Sequence, residues 1–102
     1  MADYFSPRAP ESITVEGGKQ SLVSRRITDG MYTVLYVSNN STTDNVYLGF
    51  TGPKDATGNA KPNCGITISP KTTVEFTDPM IQGCAVWATC DTGKTVTIGV
   101  QQ

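Results

Sequence analysis

The chain contains no histidine, little charge and no long apolar run, and each gap removes a class of function. Without His among 102 residues, no Ser-His-Asp triad, Cys-His dyad or His-ligated zinc site can form within one chain. Lys+Arg number 8 against 9 Asp+Glu, a net charge of −1. With no basic cluster either, nucleic acid is not an expected partner. No apolar run approaches the roughly 18 residues of a membrane-spanning helix, so no membrane partner is expected. The opening residues Met1-Ala2-Asp3-Tyr4-Phe5-Ser6-Pro7 lack the charged-then-apolar order of a signal peptide, which predicts no secretion by that route.

Cysteine is also scarce. Three are present, Cys64, Cys84 and Cys90, an odd number that reads as reduced thiols. Cys84 and Cys90 fall on one predicted strand. Their six-residue separation spans about 20 Å of extended chain, whereas a disulfide needs Cα atoms within about 7 Å. That pair is excluded, and Cys64 with either of the others remains open. The spacing does not match a zinc site, and the scattered carboxylates Asp29, Asp44, Asp55, Glu75, Asp78 and Asp91 show no ion-binding loop. No cofactor is expected.

What the chain does have is 15 threonines, 10 glycines and 6 prolines. No window carries apolar residues at helical spacing. Short β-branched and aromatic runs alternate instead with Gly, Pro, Asn and Asp punctuation. Strands are predicted at 12–16, 20–27, 31–38, 46–51, 64–69, 72–77, 84–90 and 94–100. The fold class is therefore all-β: an antiparallel two-sheet sandwich or jelly-roll-like barrel of about eight short strands. Residues 1–11 form an extended N-terminal arm and 12–102 a single domain.

Several strands have two distinct faces. Val46, Leu48 and Phe50 oppose Tyr47, Gly49 and Thr51. Val74 and Phe76 oppose Thr73, Glu75 and Thr77. Val96, Ile98 and Val100 oppose Thr95, Thr97 and Gly99. Strand 31–38 is apolar on both sides, which predicts a central strand or one covered by another subunit. Arg25 and Arg26 would point to opposite faces of their strand and so form no single basic patch. The last two strands fit a hairpin around Asp91-Thr92-Gly93. Pairing Cys90 with Lys94 sets Ala88 opposite Val96, Val86 opposite Ile98 and Trp87 opposite Thr97. Around Pro70, a three-residue loop (70–72) restores Ile68 to Val74, while a crossing between two sheets is the alternative. Residues 39–45 are predicted to form a polar tip, and 52–63 the longest loop.

The stretch Ala88-Thr89-Cys90-Asp91-Thr92-Gly93-Lys94-Thr95 touches two catalytic patterns. A phosphate-binding loop needs a helix after Gly-Lys-Thr, but Thr95-Val96-Thr97-Ile98-Gly99-Val100 alternates like a strand. An aspartic protease needs a flap and further strands after Asp-Thr-Gly, and only nine residues follow Gly93. The triplet reads as a loop, and no enzymatic activity is expected.

Candidate contact residues remain. Trp87 falls on the outward face of its strand, and Tyr32, Tyr36 and Tyr47 lie opposite their strands' main apolar stripes. Tyr4, Phe5, Pro7 and Arg8 lie in the arm, where they would touch another chain. The runs Tyr32-Thr33-Val34-Leu35-Tyr36-Val37-Ser38-Asn39-Asn40-Ser41, Asn45-Val46-Tyr47-Leu48-Gly49-Phe50, Gly65-Ile66-Thr67-Ile68-Ser69-Pro70, Cys84-Ala85-Val86-Trp87-Ala88 and Thr95-Val96-Thr97-Ile98-Gly99-Val100 resemble small β-sandwich structural proteins of tailed bacteriophage particles. In those, strand, Asn-x-Ser, gap and Val-Tyr-hydrophobic-Gly follow one another. Lys71 departs from the pattern by standing where a Gly often follows the turn proline. The resemblance implies a non-enzymatic virion subunit: a head decoration (cement) protein, a head-fibre base or a tail accessory subunit. Its expected partners are the major capsid protein or other virion subunits, with homo-oligomers formed and the virion as its location. The rival expectation is a carbohydrate- or receptor-binding module of a phage fibre, using Trp87, the tyrosines and the 39–45 and 52–63 loops.

Overall fold

The computed structural model describes residues 11–24, 34–51, 59–62, 65–77 and 85–101. Eight strands follow in order: β1 (Glu11–Glu16), β2 (Ser21–Ser24), β3 (Val34–Asn39), β4 (Val46–Thr51), β5 (Ile66–Ile68), β6 (Thr73–Thr77), β7 (Ala85–Cys90) and β8 (Thr95–Gln101). No helix occurs among the described residues. The strands form two four-stranded sheets, β1-β8-β3-β6 (sheet A) and β2-β7-β4-β5 (sheet B).

The pairing follows one rule. β1 pairs with β8, β2 with β7, β3 with β6 and β4 with β5, all antiparallel. The chain is thus a long hairpin bent at β4–β5 and rolled up, so that two further contacts, β3–β8 and β4–β7, close each sheet. This is the jelly-roll topology. Consecutive strands lie in opposite sheets everywhere except at β4–β5.

Two expected turns are corrected by this arrangement. β7 and β8 do not form a hairpin: Val86 lies opposite Phe50 of β4 and Ser24 of β2, not Ile98. Trp87 lies opposite Gly49 and Leu22, not Thr97. Residues 91–94 instead arch from one sheet to the other, with Lys94 N donating to Asp91 O at 3.0 Å and Gly93 at φ 84°. The turn after Ile68 also crosses between sheets rather than forming a three-residue hairpin loop. Its Lys71 takes φ 59°, a left-handed conformation in a non-glycine residue.

The core lies between the sheets. Val15, Leu35, Val37, Phe76, Val96, Ile98 and Val100 come from sheet A, and Val23, Val46, Leu48, Ile68, Val86, Ala88 and Cys90 from sheet B. The predicted inward stripes of 46–51, 72–77 and 94–100 all face this layer. In-register partners repeat the match: Ile13 with Ile98, Val15 with Val96, Val37 with Val74 and Val100, and Leu35 with Phe76. Each fully buried aliphatic side chain contributes about 1.5–3 kcal/mol. Phe50 and Phe76 meet edge to face across the gap, ring centroids 5.5 Å apart.

Asn39 was expected in a polar tip but is the inward-facing end of β3, with 1% of its surface exposed. Every polar group it has is used. Its N–H donates to Thr72 O and its carbonyl accepts from Lys71 N, both at 2.9 Å. Side-chain Nδ2 donates to Ile68 O at 2.9 Å and Asp44 O at 2.8 Å, and Oδ1 accepts from Ser41 N at 2.9 Å. Since Ile68 belongs to sheet B, one amide ties the two sheets together and also pins both adjacent turns. Asn39→Ala removes the donations to Ile68 O and Asp44 O and the acceptance from Ser41 N, and should cost about 2–4 kcal/mol. Chemical denaturation of the purified variant measures this directly, and a loss under about 0.5 kcal/mol would contradict the cross-tie.

Candidate interaction surfaces

The outer faces of the two sheets differ. Sheet B turns Leu22, Tyr47, Gly49, Thr51, Thr67, Ala85, Trp87 and Thr89 away from the core. Most of these are nevertheless buried, including Tyr47, Thr51, Ala85 and Thr89. The cover includes residues 59–60, part of the long loop predicted at 52–63. Asn59 Nδ2 donates to Phe50 O. Gln20 grips Ala60 by its backbone: Ala60 N donates to Gln20 Oε1 at 2.9 Å, and Gln20 Nε2 donates back to Ala60 O. Gly49 permits this close approach, because a Cβ there would stand 2.6 Å from Ala60 N.

Trp87 sits half-buried in this layer. Its Nε1–H donates to Thr51 Oγ1 at 3.1 Å, so the indole's single polar group already has a partner. Tyr47 is committed too: its hydroxyl donates to Asp91 Oδ1 at 2.8 Å. Asp91, the acid of the Asp-Thr-Gly triplet, therefore anchors the β7–β8 arch to β4. The segment after Lys94 runs on as β8, a strand and not a helix. Gly17 brings the β1–β2 turn against the same arch. Its N–H donates to Lys94 O at 2.9 Å, and a Cβ there would come within 2.8 Å of Thr92 Cα.

Sheet A presents the opposite kind of surface. Ser12, Thr14 and Glu16 of β1, Thr95, Thr97 and Gly99 of β8, Tyr36 and Ser38 of β3, and Thr73 and Glu75 of β6 share one face. Seven of these ten residues are Ser, Thr or Gly, and Ser38 Oγ and Thr73 Oγ1 bond across the face at 2.7 Å. Tyr36, 41% exposed, stands in register between Gln101 and Glu75. It is the exposed large apolar side chain among the described residues.

Of the sequence-predicted contact residues, Trp87 is half-buried on the outer face of sheet B with its indole N–H bonded to Thr51. Tyr4, Phe5, Pro7 and Arg8 lie outside the described residues, as do Tyr32, Arg25, Arg26, Cys64 and Cys84. β1 begins at Glu11, which pairs with Val100. Cys90 is a free, buried thiol in the core, within 3.4 Å of Lys94 O and 3.5 Å of Val15 O. Among the described residues, no three His, Cys, Asp or Glu side chains are grouped to hold a metal ion. Comparison with known proteins finds no matching family model, no matching curated protein and no matching solved structure.

The Tyr47 hydroxyl is pushed above its ordinary 10.0, first by the hydrogen bond to Asp91 and then by burial. Burial chiefly raises the Cys90 thiol above 9.0, with the Asp91 carboxylate adding to it. In both cases the folded state keeps a proton that the unfolded chain gives up. The associated stability is complete below about pH 9 and drains away as pH rises through the folded values. Denaturation midpoints should therefore fall from pH 9 upward, and Tyr47→Phe, costing about 1 kcal/mol at pH 7, should flatten the upper part of that decline. Gly49→Ala should cost more than about 2 kcal/mol, since backbone must move. Proteolysis at residues 59–62 should accelerate in that variant as the cover lifts.

Proposed function

We propose that the chain is a non-enzymatic structural subunit of a virus particle, a capsid decoration protein of a tailed bacteriophage that covers seams between shell subunits. The jelly-roll topology carries this reading, because that architecture recurs in viral capsid and lectin domains. The support is by analogy of fold, joined to the resemblance of the strand-and-turn pattern. Each run that bears the resemblance overlaps a strand of the roll: β3, β4, β5, β7 and β8.

In this reading the mechanism is mechanical. A rigid, internally satisfied domain is held to the shell, and new contacts across the seam oppose subunit separation. The arm, with Tyr4, Phe5, Pro7 and Arg8, is the anchoring segment. The major capsid protein or another virion subunit is the partner, and the protein acts in the assembled virion in multiple copies. A carbohydrate- or receptor-binding role is the second reading. It rests on Tyr36, whose ring lies exposed beside Glu75 and Gln101, a pairing of aromatic face and polar groups suited to a sugar.

Deleting residues 1–10 spares β1 and should leave a domain with the same strand content by circular dichroism. The truncated chain should be missing from purified particles, as read by quantitative mass spectrometry. Full incorporation of the truncated chain would overturn anchoring by the arm. A glycan array with hits abolished by Tyr36→Ala would favour the second reading.

A further inference from the structure

The four sheet edges are unequal. In sheet B both edges are blunted: β5 has three residues, and β2 has four with a register break between Leu22 and Ser24. Short strands and bulges are the ordinary protection against stray pairing. In sheet A the edges are β1, with six residues, and β6, with five, and both keep unbroken register with their inner neighbours. Among the described residues nothing pairs with the outer side of either strand.

We propose that sheet A continues from one molecule into the next, with β6 of one copy pairing antiparallel with β1 of another. Strand directions permit it without turning the molecule over. Every neighbour in the order β1-β8-β3-β6 is antiparallel, so β6 runs opposite to β1, and a second copy in the same orientation extends the alternation. Side-chain parity restricts the register to every second position, and full strand overlap with no opposed carboxylates selects one of these. With Val74 opposite the second copy's Val15, Phe76 meets Ile13 in the core layer. Thr73 then meets Glu16, Glu75 meets Thr14, and Thr77 meets Ser12. Inward residues meet inward residues at every step, and no two carboxylates stand directly opposite. Pairing β6 with its own twofold copy over its full length would set Glu75 against Glu75. Pairing β1 with β1 would leave β6 open. The head-to-tail contact closes both long edges with one interface, and such an interface propagates into a ring or a filament rather than stopping at two. This inference does not depend on the virion reading.

Sedimentation velocity on the full chain at high micromolar concentration tests it. Species larger than a dimer are expected. Thr14→Glu, an exposed substitution that places a carboxylate opposite Glu75 of the neighbour, should weaken each junction about fivefold. Adding Glu75→Lys in the same chain should restore association, because the opposed charges then attract. Thermal unfolding of both variants controls for folding. A monomer at all concentrations, association that stops at a dimer, indifference to Thr14→Glu, or failure of the double variant to recover would each overturn the proposal.

Discussion

The hydrogen bonds of Asn39 are the constraint on which the rolled hairpin depends. A jelly roll brings its two sheets together chiefly through apolar contact, which is strong but non-directional. Something must fix how far one sheet slides over the other. Here a buried amide at the end of β3 bonds to the last carbonyl of β5 in the facing sheet, while its backbone holds the crossing turn at Lys71 and Thr72. A polar group at that depth is tolerable because all of its donors and acceptors are matched. The same completeness makes it directional, so the amide sets position where the valines and leucines around it supply attraction.

The opposite end of the sandwich is secured differently. The β7–β8 arch is reached by Tyr47 from β4 and by Gly17 from the β1–β2 turn. Its Asp91 and Gly93 thus have structural work: one is a hydrogen-bond acceptor, the other a left-handed hinge. The Asp91-Thr92-Gly93 triplet lies where the chain changes sheets within four residues. Sheet B is further sealed on its outer side by residues 59–60, which leaves sheet A as the broad open face among the described residues.

The strands and their inward faces were legible in the sequence because alternation at period two is a local property. All eight appear in order, and Val96, Ile98 and Val100 point where the pattern put them. Partnership was not legible. Any register that preserves parity matches inward to inward, so Val86 fits Ile98 as well as it fits Phe50, and the choice depends on which sheet each strand joins. Three-residue spacing at Asp91-Thr92-Gly93 suits a hairpin and an arch alike. The cover over sheet B did leave a trace. Gly49 in mid-strand signals close backbone approach, and Tyr47 and Thr51 flank it on the same face. Asn39 left little, because a polar residue beside Asn40, Ser41 and Thr42 reads as part of a loop until the fold carries it inward.

Pairing of the first strand with the last has a mechanical meaning. Glu11 lies opposite Val100, so a pull applied through residues 11 and 101 acts on neighbouring points at one edge of sheet A. The load falls on the β1–β8 ladder one rung at a time, like a zipper opened from its slider, and the hydrogen bonds part in sequence instead of sharing the force. The domain is therefore compliant to a pull applied through residues 11 and 101, whatever the strength of its core.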